Sequence, residues 1–152
     1  MNKQNKDIII ILKQKLNKAC KANDLVFTLT NNIAPYNSKK KYTPLELEPY
    51  DALSIRFIRS VEMSLKAFRT IELYYEAVSS ETLRDLLLKM EKYHVISSLQ
   101  TWFDMRDIRN RIVHDYISEY VQTIFDDILN IYVVELKITH QFFQEFISTL
   151  SE

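Results

Sequence analysis

Between Trp102 and Tyr116 the chain reads WFDMRDIRNRIVHDY, which gathers three arginines, a histidine and a tyrosine at helical spacing. Arg109 is followed by Asn110 and, after three further residues, by His114, Asp115 and Tyr116. A guanidinium offers a planar fork that matches phosphate oxygens. An imidazole gains and loses a proton near neutral pH. The two together make a candidate nuclease site, with Arg109, Asn110 and His114 as its catalytic candidates. An arginine followed five positions later by a histidine is expected by chance about 0.14 times in a chain of this composition; requiring the asparagine and the tyrosine as well reduces that to roughly 0.0005. The full pattern is therefore moderately specific.

Helical geometry limits how these groups can cooperate. Arg109 and Tyr116 are seven apart and roughly in line, whereas Arg109 and His114 are five apart, about 140° around the axis. They converge only if the helix ends or bends near His114, or if two copies of the segment share one groove across a twofold axis. The bland alternative is an Arg109 that pairs with Asp104 or Asp115 and merely ties helix ends together.

The scaffold for this segment is expected to be helical throughout. At 152 residues the chain is read as one domain, residues 1–152, large enough to bury a substantial core. Glycine is absent, and the three prolines, Pro35, Pro44 and Pro49, fall in one short window. That pattern predicts an all-α, up-and-down bundle of about five helices. The lack of glycine also rules out a P-loop or a dinucleotide fingerprint, since both need backbone without a Cβ beside the phosphates. The single cysteine, Cys20, excludes an intramolecular disulfide and reads as a small buried helix residue. The N-terminal apolar run stops at Lys13, too short for a signal peptide, and no stretch approaches the length of a membrane span. The expectation is a cytoplasmic protein without membrane contact.

Formal net charge is zero, but its distribution is uneven: residues 1–41 carry nine lysines against Asp7 and Asp24, a balance of +7, and the remainder carries −7. Broad, sequence-independent nucleic-acid binding is disfavoured by that balance, so local patches must carry any such role. The candidates are Arg106 and Arg111 beside the motif, and Lys39, Lys40 and Lys41 before Tyr42, a ring that could stack a base.

In chain order, a first helix is expected over about Asp7–Ile33 with Ile9, Leu12, Leu16, Ala19 and Val26 inward. Residues 34–50 hold the prolines and read as a loop or irregular crossover. A second helix should start near Glu48 or Pro49, turn Ile58, Val61, Leu65, Phe68 and Tyr75 inward and end near Val78. A short third helix should run from Ser80 to Lys92. In the fourth, Leu99, Trp102, Met105, Ile108 and Ile112 form the core face, leaving Arg106, Arg109, Asn110 and His114 on the other; Trp102 is read as a packing anchor. The last helix, about Glu119 to Leu150, has two apolar stripes, Ile124/Ile128/Ile131/Ile138/Phe142 and Val121/Phe125/Tyr132/Leu136/Phe143. One seam cannot cover both, which points to a central position or to a second chain. Glu91 and His94 have the spacing used in di-iron bundles, but the pair is not repeated, because His140 follows Lys137 instead; no metal site is expected.

The segment Arg109, Asn110, His114, Tyr116 resembles the signature of the HEPN domains, specifically the HepT-like toxins and the substrate-binding partners of minimal nucleotidyltransferases. All four positions match. The resemblance is clearest over about residues 99–125 and extends to most of the chain as helix order. It implies a metal-independent endoribonuclease without cofactors, acting as a twofold homodimer on tRNA or mRNA and paired with a cognate nucleotidyltransferase antitoxin. On that reading His114 is the general base, Arg109 the phosphate clamp, Asn110 an orienting neighbour, and Tyr116 the acceptor of AMP from the antitoxin. The alternative is a non-catalytic partner that holds substrate for a separate nucleotidyltransferase.

Overall fold

With no glycine to interrupt it, the backbone folds almost entirely into helices. The computed structural model describes residues 2–114 and 118–151, and no strand occurs among them. Helix α1 spans Lys3–Thr30, α2 Pro44–Glu76, α3 Leu83–Lys92 and α4 Leu99–His114. Helices α5 (Ser118–Asp127) and α6 (Val133–Leu150) are joined by a π-helical turn, Ile128–Tyr132, with helical backbone angles at both junctions. The expected single last helix is thus present, with a widened turn inside it.

Capping chemistry explains where the boundaries differ from the sequence reading. The first helix starts before Asp7 because the Asn2 side chain accepts from the Asn5 amide at 3.1 Å. The second starts at Pro44 rather than at Glu48 or Pro49. Thr43 Oγ1 accepts from the Glu46 amide while Glu46 Oε1 accepts from the Thr43 amide, both at 3.2 Å, closing a capping box with proline at the first helical position. Pro49 therefore sits inside α2, on its exposed side, where water can replace the hydrogen bond that its ring nitrogen cannot donate. Helix α3 is capped by Thr82, whose hydroxyl accepts from the Asp85 amide at 3.1 Å, and not by Ser80. Ser80 is drawn instead to the buried Glu72, which takes its amide at 2.7 Å and its hydroxyl and pairs with Lys89 at 2.9 Å. Burial alone would push the Glu72 carboxyl up, yet Ser80 and Lys89 hold it below its ordinary value. Left-handed backbone at the ends of α2 and α3 falls on Ala77 (φ 54°) and His94 (φ 61°), so α2 stops at Glu76, short of Val78.

The core joins Leu12 and Leu16 of α1, Phe57, Phe68 and Ile71 of α2, Leu86 and Met90 of α3, Trp102, Met105 and Ile108 of α4, and Ile128, Leu136 and Phe143 beyond. The face of α2 is turned relative to expectation: Leu53, Phe57, Ser60, Ser64 and Ala67 are buried with Val61 and Phe68, while Ile58 and Leu65 lie at its edges and Tyr75 is exposed. Buried serines obscured that face in the apolar pattern. Of the two stripes on the last helix, Phe125, Tyr132, Leu136 and Phe143 of one and Ile124 and Ile128 of the other are buried, whereas Ile131 and Ile138, together with Val134, form an open apolar strip.

Helix α1 runs antiparallel to α2, as the contacts of Leu25 with Arg56 and Asn23 with Ser60 require, and also packs against α6. All three meet at one buried polar knot. Ser60 donates to Asn23 Oδ1, and Asn23 Nδ2 donates to His140 Nδ1 at 3.3 Å. His140 Nε2 lies 3.5 Å from Asp24, with Phe27 edge-on to the ring. Burial lowers the pKa of His140 and outweighs the opposing pull of Asp24. A histidine kept neutral in the fold gives stability that is complete above its ordinary pKa of about 6.5 and lost as pH falls through that value toward the lowered one. Urea-unfolding midpoints should therefore fall between pH 7.5 and 5.5, and His140→Gln should flatten that dependence.

Candidate functional site

The site helix, α4, is aimed by a carboxylate on another helix. Glu135 of α6 is 4% exposed and accepts from the Ser97 amide at 2.8 Å, the Ser97 hydroxyl, the Ser98 amide at 3.4 Å and Trp102 Nε1 at 3.0 Å. Ser98 Oγ then accepts from the Thr101 amide at 3.2 Å, and Glu91 accepts from the Leu99 amide at 2.9 Å, so two of the first amides of α4 are occupied by side chains. Thr139 adds a bond to the Val95 carbonyl at 3.0 Å. Trp102 packs edge-on to Phe68 at 4.8 Å and is fully buried, the anchor its position predicted.

With that face fixed inward, Arg106, Arg109 and Asn110 stand exposed on the opposite side. Among the described residues Arg109 pairs not with Asp104 but with Glu62 of α2, Nη1 to Oε1 at 2.9 Å. Glu62 lies 47 positions earlier in the chain, and nothing in its local sequence announced the contact. Arg106 pairs with its neighbour Asp107 at 3.2 Å and covers the Phe103 ring. Arg111 is half-buried and faces the π-helical turn: burial pushes the Tyr132 phenol up, Asp127, Asp104 and Asp107 push it further, and Arg111 opposes them. Arg109 and Arg111 thus serve different neighbours. Helix α4 continues through His114, whose side chain lies outside the described residues, as do Asp115 and Tyr116.

The lysine loop is more ordered than its proline content suggested. Tyr36 stacks on Tyr42 at 4.9 Å, both pack on Tyr50, and Tyr36 and Tyr50 reach Phe125 of α5. Ser38 gives its amide and hydroxyl to Gln122 of α5 at 3.1 and 2.8 Å. Lys40 is committed to Glu46 at 2.6 Å and lies over the Tyr42 ring, leaving Lys39 and Lys41 without an ion pair among the described residues. Since α5 begins just after Tyr116, the loop is brought to the helix that leaves the motif. Cys20 is half-buried, and burial with help from Asp24 pushes its thiol to about 11, well away from reactivity at neutral pH.

Among the described residues no cluster of three or more histidine, cysteine, aspartate or glutamate side chains could hold a metal ion. The Glu91 carboxylate is occupied by α4, and His94 supplies the left-handed turn after α3. No described helix is long and apolar enough to cross a membrane.

Residues 15–145, which include the whole of α2 to α5 and the motif segment, match the model of the family described as nucleotidyltransferase substrate binding protein like. The chain belongs to that family. It is the HEPN-like group that the motif resembles, and its description places members alongside nucleotidyltransferases. The first turns of α1, with Lys3, Lys6 and Lys13, lie before the matched region. No curated protein matches the chain.

For this family member the mounting of α4 is testable apart from any activity. Glu135→Ala strands several buried donors at once and should lower stability by about 3 kcal/mol in urea unfolding, with Glu135→Gln recovering part of the loss.

Proposed function

We propose that this protein is a metal-independent endoribonuclease of the HepT type, a toxin held in check by a partner nucleotidyltransferase. The observation that carries this reading is the placement of Arg109. It is a guanidinium on the open face of a rigidly mounted helix, followed at the required intervals by Asn110, His114 and Tyr116. In this function Arg109 holds the scissile phosphate and offsets charge gathering on its oxygens, Asn110 orients a neighbour, and His114 is the acid–base group. Lys39 and Lys41 extend the contact toward the flanking RNA backbone, with Lys40 confined to the loop, and Arg106 and Arg111 contribute local positive charge.

A homodimer would place two such segments in one cleft, and the open strip of Ile131, Val134 and Ile138 supports an additional contact surface. Tyr116 is the AMP acceptor of this scheme: a nucleotide attached there would add anionic phosphates that compete with RNA for Arg109. A second reading, a non-catalytic partner that holds substrate for the nucleotidyltransferase, is favoured by the family description and uses the same surface without cleavage.

Cleavage of RNA should persist in EDTA and yield 2′,3′-cyclic phosphate ends. Arg109→Ala and His114→Ala should each lower the rate by about 10² or more, while His94→Ala leaves it unchanged. RNA binding without any cleavage would favour the substrate-holding partner. Coexpression with the nucleotidyltransferase should add one AMP mass to the wild type and none to Tyr116→Phe, with that variant remaining toxic; full neutralisation by a covalent mass shift would place the acceptor elsewhere.

A further inference from the structure

Resting on the ribonuclease reading above, we infer that Glu62 of α2 is a further catalytic residue: it accepts the proton of the ribose 2′-hydroxyl, and His114 protonates the leaving oxygen. The geometry lies in the Arg109–Glu62 contact. In a ribonucleotide the 2′-oxygen and the phosphate-bearing 3′-oxygen sit on adjacent ring carbons, on the same face of the sugar. A group that grips the phosphate and a group that takes the 2′ proton must therefore stand side by side. Arg109 Nη1 and Glu62 Oε1 do so, 2.9 Å apart and on two different helices. His114, five residues further along the chain, supplies the acid in this scheme.

Both members of the pair remain open to a ligand, the Arg109 side chain 59% and Glu62 38% exposed. An ion pair so exposed is weakly held and exchanges readily for a phosphate on the arginine and a hydroxyl on the carboxylate. Glu62 also lines an open groove of about 320 Å³ along α2, with Ile55, Ile58, Arg59 and Met63. Ile55 is exposed there and Ile58 half-exposed, so the groove offers an apolar bed for the nucleoside whose hydroxyl is activated.

The reaction balances without a further participant. The 2′-oxygen gives its proton to the Glu62 carboxylate and forms a bond to phosphorus. The bond from phosphorus to the 5′-oxygen breaks, and the His114 imidazolium protonates that oxygen. The products are a 2′,3′-cyclic phosphate and a 5′-hydroxyl. Activity then requires Glu62 ionised and His114 protonated, which gives a bell-shaped rate profile with its acid limb set by the carboxylate and its basic limb by the imidazole.

The test is single-turnover cleavage of a short single-stranded RNA by the full-length protein across pH 4–9, for the wild type, Glu62→Gln and Glu62→Asp. Glu62→Gln should be slower by about 10² or more and should lose the acid limb, while Glu62→Asp keeps that limb and part of the rate. Unchanged cleavage by Glu62→Gln, or a slower rate that retains the acid limb, overturns the assignment and leaves the ribonuclease reading standing. Absence of cleavage by the wild type overturns the ribonuclease reading itself.

Discussion

The buried carboxylate of Glu135 is the constraint on which the placement of the site depends. An ionised group removed from water must recover its lost hydration from fixed donors, and here it does so from two backbone amides, a hydroxyl and an indole. Those donors lie on the connection into α4 and on its first turn. Satisfying one anion therefore sets both the start and the roll of the helix that carries Arg109. Ser98 and Glu91 complete the arrangement by occupying the next amides. If the roll were different, Trp102 would leave Phe68 and Arg109 would leave Glu62.

Helix α2 is the other wall. Its buried face gathers Ser60 into the knot with Asn23 and His140 that locks α1 to α6, and its outer edge extends Glu62 to Arg109. The two acids, Glu135 and Glu62, show opposite uses of the same chemistry. Glu135 is enclosed and saturated with donors, so it holds structure. Glu62 is open and holds one partner among the described residues, so it can exchange it. The same contrast separates Lys40, tied to Glu46, from Lys39 and Lys41 in one short loop.

A chain without glycine must also end its helices by other means. Ala77 and His94 take left-handed conformations that a Cβ disfavours, and Thr43 and Thr82 start helices through side-chain oxygens. The π-helical turn at Ile128–Tyr132 changes the register of the last helix. Phe125 and Leu136 both remain inward across it, and Ile131, Val134 and Ile138 are left outside. The stripe that runs Ile124, Ile128, Ile131, Ile138 is thus divided, its first two members buried and the last two exposed.

The sequence by itself determined the all-helical class, the inward faces of α1 and α4, the anchoring role of Trp102 and the spacing from Arg109 to Tyr116, because helical period and breaker content are local properties. It was less reliable at the ends of α2 and α3, where competing caps lie within a few residues, and on the face of α2, where buried serines interrupt the apolar pattern. Only the tertiary structure decided the partners. Glu62 reaches Arg109 from 47 positions away, Glu135 reaches Trp102 from 33, and Asn23 reaches His140 from 117. Such pairings depend on which helix packs beside which, and no periodicity along the chain encodes that. An acid in the middle of the apolar run VVELKI was the one local sign of the Glu135 hub, since a charge at that position must either reach water or find donors.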